Sequence, residues 1–93
     1  GATGAIWGSA NYMPREAVQL YELVVAKDYA AVLELWGRMI PSLLYIWYSS
    51  YNPAIKSAAR MRGFGGGNVR RPLSPLSADA EKELKAVLAF LDP

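Results

Sequence analysis

Gly1-Ala-Thr-Gly-Ala-Ile-Trp-Gly-Ser-Ala-Asn-Tyr-Met-Pro-Arg-Glu16 joins two kinds of backbone. Thr3 to Trp7 is built of small and branched side chains without clear alternation, the pattern of a strand covered on both faces. Ser9, Ala10 and Asn11 make a turn. Pro14 suits the first position of a helix, where its missing N–H would have had no partner. A single strand cannot pair its own N–H and C=O groups, and no later stretch reads as its neighbour. The opening therefore reads as a strand taken out of a sheet. Gly1 in place of Met adds the expectation of a chain that was processed, cloned or cut.

Outward from this stretch the pattern is helical. Ala17, Leu20, Tyr21 and Val24 recur at i, i+3, i+4 and i+7 and predict a first helix from Pro14 to Ala26. Asp28 is a candidate cap for a longer second helix from Tyr29. There Val32, Leu35, Trp36, Met39, Ile40, Leu43, Leu44 and Trp47 hold the 3.6-residue period through Pro41, which predicts a kink rather than a break. Asn52-Pro53 predicts a third start, with the helix running through Arg62 and ending at Gly63. Phe64 to Pro75 is a loop rich in Gly and Pro. A last helix follows Ser77, with Asp79 and Glu81 at its positive end, a buried face of Leu84, Val87, Leu88 and Leu91, and a supporting Glu81–Lys85 pair. The expected fold is mostly α: one short N-terminal strand and about four helices.

Composition narrows the chemistry. The 93 residues are 53% hydrophobic and 19% charged, which fits one small folded core. With no Cys and no His, disulfides, zinc knuckles, thiol nucleophiles and Ser-His-Asp constellations are all excluded. Lys, Tyr, Asp and Glu remain, and no metal or cofactor is called for. The net charge of +2 is too small to argue for a polyanionic partner. Met39 to Tyr48 is about half the ~20 residues a bilayer span requires. Without a signal-peptide pattern the default expectation is cytoplasmic, with neither nucleic acid nor membrane as partner.

Arg60 to Arg71 has the look of an RGG-type segment, but one Phe and one Arg-Gly step are thin, and the apolar connection Pro72 to Leu76 reads as an ordinary loop. Gly63 to Gly67 neither follows a strand nor opens a helix, so it is not a phosphate loop. Lys56, in Ala54-Ile-Lys-Ser-Ala58, reads as structural rather than as an amine nucleophile. The aromatic run of Trp36, Tyr45, Trp47, Tyr48 and Tyr51 reads as core or interface. Ile6, Trp7, Gly8 and Ser9 then remain, at the carboxyl end of the strand where α/β folds gather ligands, with Gly8 allowing close approach to the backbone. Neither a nucleophile nor a base accompanies them.

Gly4-Ala-Ile-Trp-Gly-Ser-Ala-Asn11 with Pro14-Arg15 resembles the eighth strand and following turn of the dihydrodipicolinate synthase/N-acetylneuraminate lyase family. The resemblance continues through Lys27-Asp-Tyr-Ala, the leucine-rich helix with Pro41, Asn52-Pro-Ala-Ile-Lys56, and Val69-Arg-Arg-Pro-Leu-Ser-Pro-Leu-Ser77. It implies the C-terminal part of a (β/α)8 barrel: the last strand and helix in 1–26 and a helical extension in 27–93. It implies a parent that is a class I Schiff-base aldolase acting on pyruvate or a related 2-oxo acid, usually as a homo-oligomer, tetramer or dimer. The catalytic lysine, tyrosine and carboxylate-binding hydroxyl pair would lie in the missing N-terminal barrel segments, so no catalytic residue is expected here. Ile6 matches a position lining the site near that lysine. Trp7 stands where the family often has Gly or Ser and would narrow the pocket if it points inward. Gly8 replaces a hydroxyl contact of the sialic-acid lyase branch. The competing expectation is a free-standing helical interaction module using the aromatic stripe.

Overall fold

A computed structural model describes residues 1–92 of the chain. Four helices carry it: α1 (Pro14–Val25), α2 (Tyr29–Trp47), α3 (Tyr51–Met61) and α4 (Ala78–Leu88). Short 3₁₀ turns at Gly8–Asn11 and Ala89–Leu91 precede and follow them.

The expected strand at Thr3 to Trp7 does not form. Residues 1–7 enter neither helix nor ladder, and no strand occurs among the described residues. Trp7 does hold extended dihedrals, φ −139° and ψ 111°. The local conformation is thus strand-like at Trp7, and what is lacking is a neighbour to bond to.

The helix ends are built from local chemistry. α1 stops at Val25, one residue before the expected end. Lys27 takes a left-handed φ of 59°, Lys27 N–H donates to Val24 O, and Asp28 N–H donates to Leu23 O, both at 3.0 Å. These two bonds close a Schellman turn. Asp28 then caps α2 by accepting from Ala31 N–H at 3.2 Å. Gly63, at φ 83°, closes α3 in the same way, with Phe64 N–H donating to Ala59 O at 2.8 Å. Ser77 caps α4 by accepting from Ala80 N–H at 3.1 Å.

At α3 the start is earlier than expected. The helix begins at Tyr51, Ser50 sits at the cap without a side-chain bond, and Asn52 is inside the first turn. Pro53 fits there because the first turn's N–H groups have no partner within the helix.

Burial in α2 follows the expected face at Leu35 and Met39 and departs from it elsewhere. Leu35, Met39, Ser42 and Ile46 are buried, while Trp36, Leu44 and Trp47 are 39%, 53% and 71% exposed. The helix is apolar around most of its circumference, so periodicity alone does not choose the core side. Tyr12 makes the choice. It is fully buried, and its hydroxyl meets Ser42 Oγ at 2.9 Å, which turns the Ser42 stripe inward.

Tyr12, Met13, Leu35, Met39, Ile46, Ala54, Ala58, Leu84, Leu88 and Leu91 form the heart of one core. Small side chains on α3 let it lie close to α4. Glu81 pairs there with Arg60 at 2.6 Å and accepts from Ser57 Oγ at 3.0 Å. That partner across the interface takes the place of the expected Lys85 pair. α1 contributes no buried residue, and of its expected face Tyr21 and Val24 stay exposed.

Candidate functional site

The turn between Trp7 and Pro14 is tightly specified. Trp7 O accepts from Ala10 N–H at 3.2 Å, and Ser9 O accepts from Tyr12 and Met13 N–H at 3.1 and 3.2 Å. Asn11 Nδ2 donates to Gly8 O at 2.9 Å. Buried Tyr12 and Met13 then fasten the turn to the core. Ser42 Oγ donates to Met39 O at 3.1 Å, which leaves the Tyr12 hydroxyl to donate to Ser42. Burial pushes the Tyr12 phenol above its ordinary pKa.

A second clamp holds the same turn from α3. Arg62 donates through Nη1 to Tyr12 O at 2.9 Å and to Glu16 Oε2 at 3.1 Å. Its Nη2 donates to Glu16 Oε1 at 2.6 Å. This is a bidentate, nearly buried pair linking the start of α1 to the end of α3. Burial pushes the Glu16 carboxyl up, and the Arg62 bonds, its own backbone N–H and the charges of Arg62 and Arg15 together outweigh that and leave it below its ordinary value. The same bonds raise the Arg62 guanidinium.

Of the residues singled out in the sequence, Ile6 is fully exposed, at 108%. Trp7 is half-buried against the core. Gly8 faces Tyr51: a Cβ added at Gly8 would fall inside contact distance of the Tyr51 hydroxyl and 3.2 Å from its Cζ. The space beside this glycine is occupied by a side chain of the same chain. Tyr51 in turn sets its ring edge-on to Trp47, centroids 6.5 Å apart.

Two concavities flank the turn. On one side lies an open groove of about 780 Å³ lined by Trp7, Leu20, Trp36, Ile40, Leu44 and Trp47, with no charged residue in its wall. On the other, a cavity of about 460 Å³ is lined by Gly8, Asn11, Asn52, Lys56, Asn68 and Arg70 among others. Lys56 Nζ donates to Gly66 O at 2.9 Å, tying the glycine loop to α3. Neither wall contains a carboxylate to serve as base. Among the described residues no group of three His, Cys, Asp or Glu side chains is placed to hold a metal ion, and no helix is long and apolar enough to cross a membrane.

The Tyr51–Gly8 contact and the Arg62–Glu16 clamp are not visible as motifs in the sequence. The only signals for them were an acid in the first turn of α1 and an arginine just before the helix-ending Gly63.

This chain is similar over nearly its whole length to larger enzymes. It is 32% identical over 92 residues to 4-hydroxy-tetrahydrodipicolinate synthase of Methanospirillum hungatei, covering 99% of this chain and 32% of that protein. It is 32% identical over 88 residues to the synthase of Methanothrix thermoacetophila, covering 95% and 30%. A probable 5-dehydro-4-deoxyglucarate dehydratase of Pseudomonas putida is 30% identical over 86 residues, covering 89% and 28%. The chain spans about a third of the length of the curated relatives it matches. The model of the dihydrodipicolinate synthetase family matches residues 1–91. With the match running through the turn, the clamp and all four helices, the chain belongs to the dihydrodipicolinate synthetase family.

Proposed function

We propose that this chain is the C-terminal part of a Schiff-base lyase or synthase that makes or breaks a carbon–carbon bond on a 2-oxo acid such as pyruvate. In this reading residues 1–26 supply the last strand and helix of a (β/α)8 barrel, and 27–93 supply a helical extension. Ile6, Trp7 and Gly8 form part of the pocket wall. The nucleophilic lysine belongs to the preceding barrel segments. It attacks the 2-oxo carbon, water leaves, and the iminium so formed draws electrons from the neighbouring carbon as the new bond forms or the old one breaks.

The carrying observation is that a chain aligned along 99% of its length with a third of a synthase holds Trp7 extended with no ladder partner. A barrel supplies the two neighbouring strands that Thr3 to Trp7 lacks. The half-buried Trp7 stands immediately before the turn, where ligands collect in such folds.

Intact mass after incubation with pyruvate and borohydride tests this. The 93-residue chain alone is expected to keep its mass of 10.2 kDa. A chimera carrying the upstream two-thirds of the Methanospirillum hungatei synthase joined to this chain, once shown by circular dichroism to be folded, is expected to gain one reduced pyruvate. An adduct on the isolated chain would overturn the assignment of the nucleophile to upstream segments. A folded chimera that stays unmodified would overturn the Schiff-base reading.

A further inference from the structure

The basic residues of the central region fall into two groups once their partners are known. Arg60 is engaged by Glu81 at 2.6 Å. Arg62 is engaged by Glu16 at 2.6 Å and by Asp92 at 3.4 Å. Lys56 and Arg70 have no carboxylate partner among the described residues, and both line the cavity of about 460 Å³ beside Gly8. Three amide side chains, Asn11, Asn52 and Asn68, line it with them, and no acid does.

We propose that this cavity is a binding site for a small oxyanion, a carboxylate or phosphate group, held by Lys56 and Arg70. The inference goes beyond the Schiff-base reading and does not depend on it. Three separated segments converge here: the turn after Trp7, the first turns of α3, and the stretch 68–73 after the glycine loop. Lys56 is positioned rather than free-swinging, because one of its three donors is used on Gly66 O, which leaves two for a ligand. Arg70 adds a planar fork matched to two oxygens. Asn52 and Asn68 supply neutral donors without bringing an opposing charge, and Asn11 spends its amide on Gly8 O. Two uncompensated cations in a concave wall raise the local concentration of anions and strengthen with partial exclusion of water. The cavity is too small and too poor in aromatic faces for a nucleic-acid strand, which would need a run of stacking platforms.

The test is a titration of the ¹⁵N-labelled 93-residue chain with inorganic phosphate and, separately, with succinate, followed by amide shifts. The expected result is saturable binding of at least one of them. Shifts should concentrate at Gly8, Asn11, Asn52, Lys56 and 68–70, and binding should weaken as ionic strength rises. Which anion binds more tightly identifies phosphate or carboxylate as the recognised group. Arg70→Gln is expected to weaken binding about tenfold, since it removes a charge-assisted contact, while Lys85→Gln, outside the cavity lining, changes it less than about twofold. Lys56→Gln should act like Arg70→Gln, and because it also cuts the loop tether, Arg70→Gln is the deciding variant. Shifts spread equally over Arg15, Lys27, Lys82 and Lys85 would overturn the proposal. So would affinity unchanged in Arg70→Gln, or the absence of saturable binding by either anion.

Discussion

Arg62 is the residue on which three parts of the chain depend. Its side chain is 10% exposed, and its Nη1 and Nη2 groups reach Tyr12 O, both Glu16 oxygens and Asp92. Arg62→Met would leave the Glu16 carboxylate nearly buried without its counter-charge, and is expected to destabilise the chain by about 3 kcal/mol in urea unfolding. The same pair gives an acid limb to stability. The Glu16 pKa is lower folded than its ordinary 4.5, so the unfolded chain binds that proton more readily. The stability it contributes is complete above 4.5 and is lost as pH falls through the lower folded value. Glu16→Gln is expected to flatten that limb in thermal melts at a series of acid pH values. An unchanged limb would mean other carboxylates produce it. Lys27 offers the opposite case. An L residue in the left-handed region is strained, and Lys27 occupies it at φ 59° only to close the Schellman turn after α1. Lys27→Gly is expected to raise stability by about 1 kcal/mol. A loss would show that the lysine side chain contributes more than its backbone strain costs.

Between elements, the contact of the first turn with α3 sets how closely the two approach. Tyr51 occupies the volume a side chain at position 8 would need. Gly8→Ala must therefore move Tyr51, and with it the ring set edge-on to Trp47. A cost of about 1–3 kcal/mol is expected from such overpacking. In a Tyr51→Phe background the hydroxyl is gone, and the same alanine should cost less than half as much. Equal costs in both backgrounds would show that Gly8 is required for another reason. This contact also marks where the sequence stops being informative. The Asp28 cap, the start after Ser77 and the stop at Gly63 were legible because they are local: Asp28 and Ser77 each bond an N–H three residues ahead and Gly63 needs only its own φ, whereas Asn52, read as a cap, lies inside α3. The seven-residue opening was legible as strand-like and as lacking a neighbour, but the strand itself does not form, since a ladder needs that neighbour. The choice of face on α2 was legible only in part: Leu35 and Met39 were expected and are buried, whereas Ser42 and Ile46 were not expected. Two apolar stripes at the same period compete there, and a tyrosine thirty residues upstream decides between them. The candidate wall at Ile6 to Gly8 was proposed from its expected place at a strand end, whereas Tyr51 was missed as the filler beside Gly8 because sequence distance hides it.

For the whole molecule, exposed area is the telling quantity. A folded monomer of 10.2 kDa is expected to expose about 5,300 Å², whereas this chain exposes 6463 Å². The excess, roughly 1,100 Å², exceeds the ~800 Å² that each partner buries in an ordinary stable interface. Much of the apolar surface sits in one place, around Trp36, Leu44, Trp47 and Tyr48, where the groove wall carries no charge. A further sign lies on the same helix: Arg38 Nε is buried with no hydrogen-bond partner among the described residues, a state that folded chains seldom leave uncorrected. Surface of this kind drives association when nothing covers it. The isolated chain is therefore expected to self-associate with rising concentration in sedimentation velocity. Trp36→Gln combined with Trp47→Gln is expected to weaken that association at least about tenfold, since exposed tryptophans on an uncharged wall are the usual anchors of an interface. The paired variant should keep its helical circular dichroism, because neither side chain belongs to the buried core. A chain that stays monomeric at all concentrations would mean the groove closes on itself, with Trp7 and Trp47 meeting across it. That closure would show as quenched tryptophan fluorescence in the monomer, lost in Trp47→Gln.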